Sequence, residues 1–314
     1  MAAAAIPTIP AAPAAPAAPR PAVARREDEK VDLIGSIPFF SVHLACLLAI
    51  YTGVRAVDVA LCLGIYAIRM FAITAGYHRY FAHRTFSTGR VFQFVLAWFG
   101  STALQKGVLW WAAHHRDHHR NSDTEDDIHS PTVRGFLWSH VGWIICDRYT
   151  PTEIDKIRDF ARYPELRWLN RWHPIPYIVT FAIPLYLFGG LPSLVVGGFW
   201  SCVLLWHGTF TINSLAHVYG RRRYETSDTS RNSLLLALLT FGEGWHNNHH
   251  HFPGSANQGF YWWEVDISYY VLRALAAVGL VWDVRTPPAR ILEEGARADA
   301  AARAARLAPR PSAG

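Results

Sequence analysis

Apolar positions along the chain gather into four long blocks rather than the short periodic runs of a soluble domain. The blocks are Ile37–Val54, Val57–Gly76, Pro174–Gly190 and Leu194–His217. Each approaches the roughly 20 apolar residues that carry a helix across a bilayer. Only a tight turn around Gly53–Val57 separates the first two, and only Gly189–Ser193 separates the last two. The pattern therefore predicts two helical hairpins. The third block is the shortest and contains Pro176 and Pro184, so its ends are the least sharply marked. A further apolar run, Val91–Leu104, is too short to span and predicts a buried or interfacial helix. Core helices of a soluble protein are the bland alternative. The near-contiguity of the first two blocks, almost without charge, argues against it. The fold class predicted is an all-α integral membrane protein.

The polar segments set the orientation. The turn between blocks one and two offers Arg55 as its only basic residue, and the turn between blocks three and four offers none. Nearly all other Lys and Arg lie before block one, between blocks two and three, or after block four. By the positive-inside rule those three regions face the cytoplasm. The protein is then a multi-pass integral membrane protein with both termini cytoplasmic. Residues 1–30 are Ala/Pro-rich and end in "RREDEK"; repeated proline and scarce apolar bulk predict a disordered tail. Residues 31–286 make the membrane domain. From residue 287 the chain is Ala/Arg-rich with prolines at both borders, a composition that favours a terminal helix.

Composition agrees with this picture. The 314 residues are 51% hydrophobic and only 17% charged, below the quarter usual for soluble domains. The net charge of +6 describes a basic cytoplasmic face suited to anionic headgroups or an acidic protein partner. No recognition fold accompanies the charge, so nucleic acid is not the expected partner. Cys46, Cys62, Cys146 and Cys202 form no CxxC spacing and read as small buried hydrophobes.

The chemistry lies in the histidines. Sixteen are present, and most are grouped: "HRYFAH" holds His78 and His83, "HHRDHH" holds His114, His115, His118 and His119, "NSLAH" ends in His217, and "HNNHHH" holds His246, His249, His250 and His251. His115, His118 and His119 stand at i, i+3 and i+4, and His246, His249 and His250 repeat that spacing, so each trio shares one side of a helix. Under the topology above, all these positions meet at one membrane boundary. Neutral imidazole is the commonest nitrogen ligand of iron, zinc and copper. A structural zinc takes four ligands, whereas nine histidines suit two metals. His43, His140, His173 and His207 stand apart from the groups and read as core or interfacial residues. Asp127 and Glu243 flank the boxes, where a carboxylate orients a ligand by accepting its free ring N–H. Arg69, inside block two, calls for a buried polar partner.

Taken together, "GYHRYFAHRTF", "HHRDHH", "RGFLWSHVGW", "NSLAHVYG" and "GEGWHNNHHHFP" resemble the membrane-bound fatty acid desaturases, most closely the stearoyl-CoA (acyl-CoA delta-9) branch, over about residues 35–285. That resemblance implies four transmembrane helices under a cytosolic helical cap that holds a histidine-rich di-iron site. It assigns two Fe ions to His78, His83, His115, His118, His119, His217, His246, His249 and His250, with Asn213 acting through water. It further implies O2-dependent insertion of a cis double bond, at the ninth carbon, into a saturated long-chain acyl group carried on coenzyme A. Trp110, Trp111, Trp143, Trp206 and Tyr261 are expected to line the acyl channel. The segment "QKGVLWWAAHH" departs from the animal enzymes, which carry polar headgroup contacts there, and this opens phospholipid as an alternative acyl carrier.

Two electrons must come from outside, because the chain has no haem CxxCH, no dinucleotide fingerprint and no iron–sulfur cysteine pattern. The expected donor is a cytochrome b5-like protein or a ferredoxin, with its reductase. A lipid hydroxylase of the same fold would share every motif. A metal transporter, from another class, would place its ligands near the bilayer midplane rather than at helix ends.

Overall fold

The protein was analysed as a computed structural model that describes residue 26 and residues 28–307. The apolar blocks form α1 (Ile37–Thr52), α2 (Ala56–Ala82) and a long run, α6 (Ile175–His217). Between them lie α3 (Arg90–Ser101), α4 (Val108–Asn121) and α5 (Pro164–Arg171). After α6 come α7 (Leu234–Leu239), α8 (His246–His251), α9 (Ile267–Ala277) and α10 (Ala289–Leu307), with short helical turns in the connections. One two-stranded antiparallel ladder pairs Ser87–Thr88 with Val281–Trp282.

α2 and α6 are each long and apolar enough to cross a membrane. α6 is two helices in one run: Gly190 leaves the helical region at φ 68°, ψ −164°. The arms fold back on each other there, bringing Leu185 and Tyr177 of the first against Gly197 and Gly198 of the second. Much of this apolar surface is turned outward, including Leu47 and Ile50 of α1, Leu63 of α2, and Leu187 and Phe188 of α6. A contiguous apolar face this large marks contact with lipid or protein rather than water.

Arg55 ties the two turns together. Its guanidinium pairs with Asp58 at 2.6 Å and donates to Gly189 O at 2.8 Å and Ser193 Oγ at 2.9 Å. The turn before α2 and the bend of α6 therefore sit at the same end of the molecule. Arg69 of α2 finds its polar partners on α6: it donates to Ser201 Oγ at 3.0 Å and lies over the Tyr177 ring. His43, His207 and His140 link α1, α6 and the 138–142 turn in a chain of ring-nitrogen contacts of 3.1 and 2.9 Å.

Both ends differ from unstructured extensions where they are described. Most of the Ala/Pro-rich stretch lies outside the described residues, but Glu29, at its end, is buried and accepts hydrogen bonds from Arg134 at 2.6 Å and Tyr149 at 2.5 Å. Within the C-terminal stretch, α10 docks on the rest of the chain: Tyr224 and Tyr261 donate to Ile291 O and Leu292 O.

Candidate metal centre and apolar cavity

Four elements deliver the grouped histidines to one place. α2 widens to i, i+5 hydrogen bonding over Ala72–Ala82, a geometry that recurs at functional sites. It places His78 within its last turns and His83 at its C-cap. α4 carries His115, His118 and His119, the end of α6 carries His217, and α8 carries His246, His249 and His250.

The nine separate into two sets. Ring nitrogens of His78, His83, His115, His119 and His249 lie within 4.8 Å of one another, and so do those of His118, His217, His246 and His250. Each helical trio is split between the sets. The i, i+4 pairs His115/His119 and His246/His250 each stay together, and the residue between them, His118 or His249, faces the opposite set. Spacing alone had predicted a shared face but not this interleaving, which depends on how α4 and α8 cross.

Within the sets, ring nitrogens converge without ordinary partners. Nε2–Nε2 separations are 3.0 Å for His78–His249, 2.9 Å for His83–His115, 2.9 Å for His119–His249 and 3.1 Å for His217–His246. His250 Nε2 is buried without any hydrogen-bond partner. Burial and neighbouring rings push His83, His115, His119, His246 and His249 well below the ordinary imidazole value, and His250 down to about 4. Neutral rings with lone pairs aimed at a common point are the donor set a metal ion requires.

Four of the outward nitrogens are held by carboxylates. His78 Nδ1 meets Glu243 at 2.5 Å, His118 Nδ1 meets Asp127 at 3.0 Å, His217 Nδ1 meets Asp123 at 3.2 Å and His250 Nδ1 meets Asp228 at 2.6 Å. Each carboxylate fixes its imidazole with Nδ1–H outward and Nε2 inward. His118 is raised above its usual value: burial lowers it, but the carboxylates around it, Asp127 foremost, more than offset that. Asp127 and Glu243 were legible beside the boxes. Asp123 stood in the same acidic run without distinction, and Asp228 lies in "TSDTS", where no local pattern marks it. Gly242 is required where the last box begins. At its φ of 117° a Cβ would stand 2.3 Å from Asp266 Oδ1 and 2.8 Å from an Arg79 nitrogen. Arg79 in turn holds Asp266 at 2.9 Å and Glu243 at 3.0 Å.

A cavity of about 590 Å³ opens against these histidines. His78, His115, His246, Glu243 and Asn213 form part of its wall, together with Phe39, Val42, Met70, Ile73 and Phe210. Trp110, Trp111, Trp143 and Trp206 also line it. The indole N–H groups of Trp110 and Trp206 donate to Tyr149 O and Ala103 O, so no polar group of these two rings is left to face the cavity. Tyr261 is a correction: it is absent from the lining, because its hydroxyl is drawn to Leu292 O at 2.6 Å and its ring stacks on Trp263.

Residues 57–285 match the family profile described as fatty acid desaturase. The chain belongs to the fatty acid desaturase family. Among its relatives are the Delta-9 desaturase-like 5 protein of Arabidopsis thaliana, 39% identical over 85% of this chain and 89% of that one. The Delta-9 acyl-lipid desaturase 1 of the same plant is 38% identical over 85% and 87%. The Icosanoyl-CoA 5-desaturase of Limnanthes douglasii is 36% identical over 84% and 75%. These desaturases differ by name in bond position and in acyl carrier, so similarity places this desaturase in lipid metabolism without choosing its substrate.

Proposed function

We propose that the protein is an O2-dependent desaturase that inserts a cis double bond, at the ninth carbon, into a saturated long-chain acyl group, with coenzyme A as the carrier. The observation that carries this reading is an apolar, tryptophan-lined cavity whose wall includes histidines of both sets. The residues fit a pair of irons. His78, His83, His115, His119 and His249 would hold one, and His118, His217, His246 and His250 the other. Asn213, which shares the cavity wall with His246, would complete the smaller set through water.

When bound, two irons supply oxygen activation and hydrogen abstraction from unactivated methylenes, which acid–base side chains cannot perform. The chain does the rest. Asp123, Asp127, Asp228 and Glu243 keep their imidazoles oriented. The cavity takes up a flexible acyl chain, holds one carbon pair beside the histidines and excludes water from it. Its wall is mainly apolar, which suits a hydrocarbon, with Asp32, Gln105, Lys106 and His173 among its polar exceptions.

In this reading α1, α2 and the two arms of α6 are the four membrane spans, and the histidine cap with both termini faces the cytoplasm. The union of Arg55 with the bend of α6 supports it, since both turns then emerge on the far side. A transporter is disfavoured by the same geometry, because the histidines come from helix ends and the cap rather than from mid-span. Supplying purified protein with stearoyl-CoA, O2, reductase and carrier should yield oleoyl product. A hydroxylated product, or use of phospholipid acyl chains alone, would replace the proposal with that activity.

A further inference from the structure

The carboxylates that hold ring nitrogens are shared unequally between the two histidine sets. Asp127, Asp123 and Asp228 serve His118, His217 and His250 of the four-ring set. The five-ring set has Glu243 alone, on His78. At the middle of that set is His249, whose Nε2 lies 3.0 Å from that of His78 and 2.9 Å from that of His119. Among the described residues no carboxylate reaches its outward Nδ1. The one hydrogen-bonding group beside that nitrogen is the side-chain amide of Gln258, 3.4 Å away.

Gln258 follows the last box, in "SANQGF", and is only 1% exposed. Its amide nitrogen stands 3.4 Å from His78 Nδ1 as well, and its Oε1 is buried without a hydrogen-bond partner. A buried amide oxygen left idle costs free energy, so this side chain calls for a donor. A ring that offers Nε2 to a metal carries its proton on Nδ1. His78 already directs its own to Glu243 at 2.5 Å. That leaves the Nδ1–H of His249 in need of an acceptor. An amide has the same shape either way round, and its hydrogen bonds decide which end is which. Turned over, Gln258 sets Oε1 against His249 Nδ1, and its NH2 takes the place where Oε1 lay idle. The loop does not need this side chain to hold its course. Gln258 N donates to Asp266 at 2.8 Å, and Gln258 O accepts from Asn248 at 2.9 Å.

We propose that Gln258 is a positioning residue of the five-ring set: its amide oxygen accepts the Nδ1–H of His249 and aims that ring's Nε2 at the metal. This is the task that carboxylates perform for His78 and for three rings of the other set. The proposal rests on the reading of the two sets as an iron pair. A neutral amide also leaves His249 less basic than a carboxylate would. Exchanging it for a carboxylate should therefore draw the potential of one iron down.

The test loads full-length protein in detergent with ferrous iron. Iron retained against a graded chelator series, the reduction potentials of the bound iron and the Tm of the metal-free chain are measured. The variants are Gln258→Leu, Gln258→Glu and, as a control in the same loop, Asn257→Ala. Gln258→Leu should weaken one of the two irons about 10–100-fold, leaving the other within twofold and the metal-free Tm unchanged. Gln258→Glu should keep both irons, since a carboxylate also accepts from Nδ1–H, and should shift one reduction step to more negative potential. Asn257→Ala should match the parent in all three measurements. Parent-like retention of both irons by Gln258→Leu would overturn the proposal. So would identical behaviour of the Leu and Glu variants, equal iron loss in Asn257→Ala, or loss of both irons with a lowered metal-free Tm, the mark of a merely structural role. A parent that takes up no iron would overturn the proposal together with the iron-pair reading. A parent whose iron depends on Gln258 in this way but that forms no unsaturated product would sink the desaturase reading and leave the proposal standing.

Discussion

At the scale of the residue, the site depends on pairs. An imidazole is held with Nε2 toward the centre where its Nδ1–H has an acceptor, and for four of the nine a carboxylate provides it. Asp228 is the clearest case, at 2.6 Å from His250 Nδ1 and with its own carboxyl held well below the usual range despite burial, by His250 and the Ser230 contacts. Asp228→Asn should lower metal affinity at the second set by about 10–100-fold, with the first set nearly unaffected. Metal content per chain after dialysis against a graded chelator series would show it, as a fall from two towards one. Retention of both metals by Asp228→Asn would mean that the pairing is incidental. The same logic explains what was legible beforehand. His115, His118 and His119 were readable because helical spacing is local, and Glu243 because it adjoins its box. Asp228 was not, because its partner is 22 residues away and only the tertiary fold brings them together.

At the scale of the element, hydropathy marked the apolar helices closely, since an apolar block of fixed length has few alternatives. It also placed the break between the third and fourth blocks at 189–193, where Gly190 leaves the helical region. Tyr261, by contrast, failed as a cavity residue. Nearness to a box in sequence says nothing about which side of α8 a loop crosses, and α10 draws the hydroxyl away. Two outcomes belong at this scale. A cysteine placed at Gly190 should react with an impermeant thiol reagent only from the non-cytoplasmic side; labelling from the cytoplasm would invert the topology. Gly242→Val should abolish metal binding without releasing the protein from the membrane, because the branched side chain would collide with Asp266 and Arg79 beneath the last box. A Gly242→Val variant with full metal content would show that the loop can yield.

Across the whole molecule, burying so many neutral imidazoles together ties stability to pH. His83, His115, His119, His246 and His249 are pushed well below the ordinary value and His250 to about 4. Unfolded, the same residues take up protons below about 6.5. The unfolded chain therefore binds more protons as acidity rises, and stability falls as pH drops through that value. Asp123, Asp127 and Asp228, held low in the fold, add loss of the same sign at lower pH. His118, raised by Asp127, opposes the trend by itself. Metal-free protein should accordingly lose thermal stability steadily from about pH 6.5 to 5, followed as Tm in detergent. A flat or rising Tm would show that the rings are protonated in the fold.

The central claim joins the two histidine sets to the apolar cavity, and one measurement addresses both: the fatty acids of cells expressing the protein, beside cells expressing His249→Ala. His249 contacts both His78 and His119 within its set, so its loss should remove metal and activity together while leaving the protein in the membrane. The account predicts new cis-monounsaturated chains with the parent protein, their double bond a constant distance from the carboxyl end as chain length varies, and none with His249→Ala. Identical lipid profiles from the two strains, with both proteins present in the membrane, would contradict it.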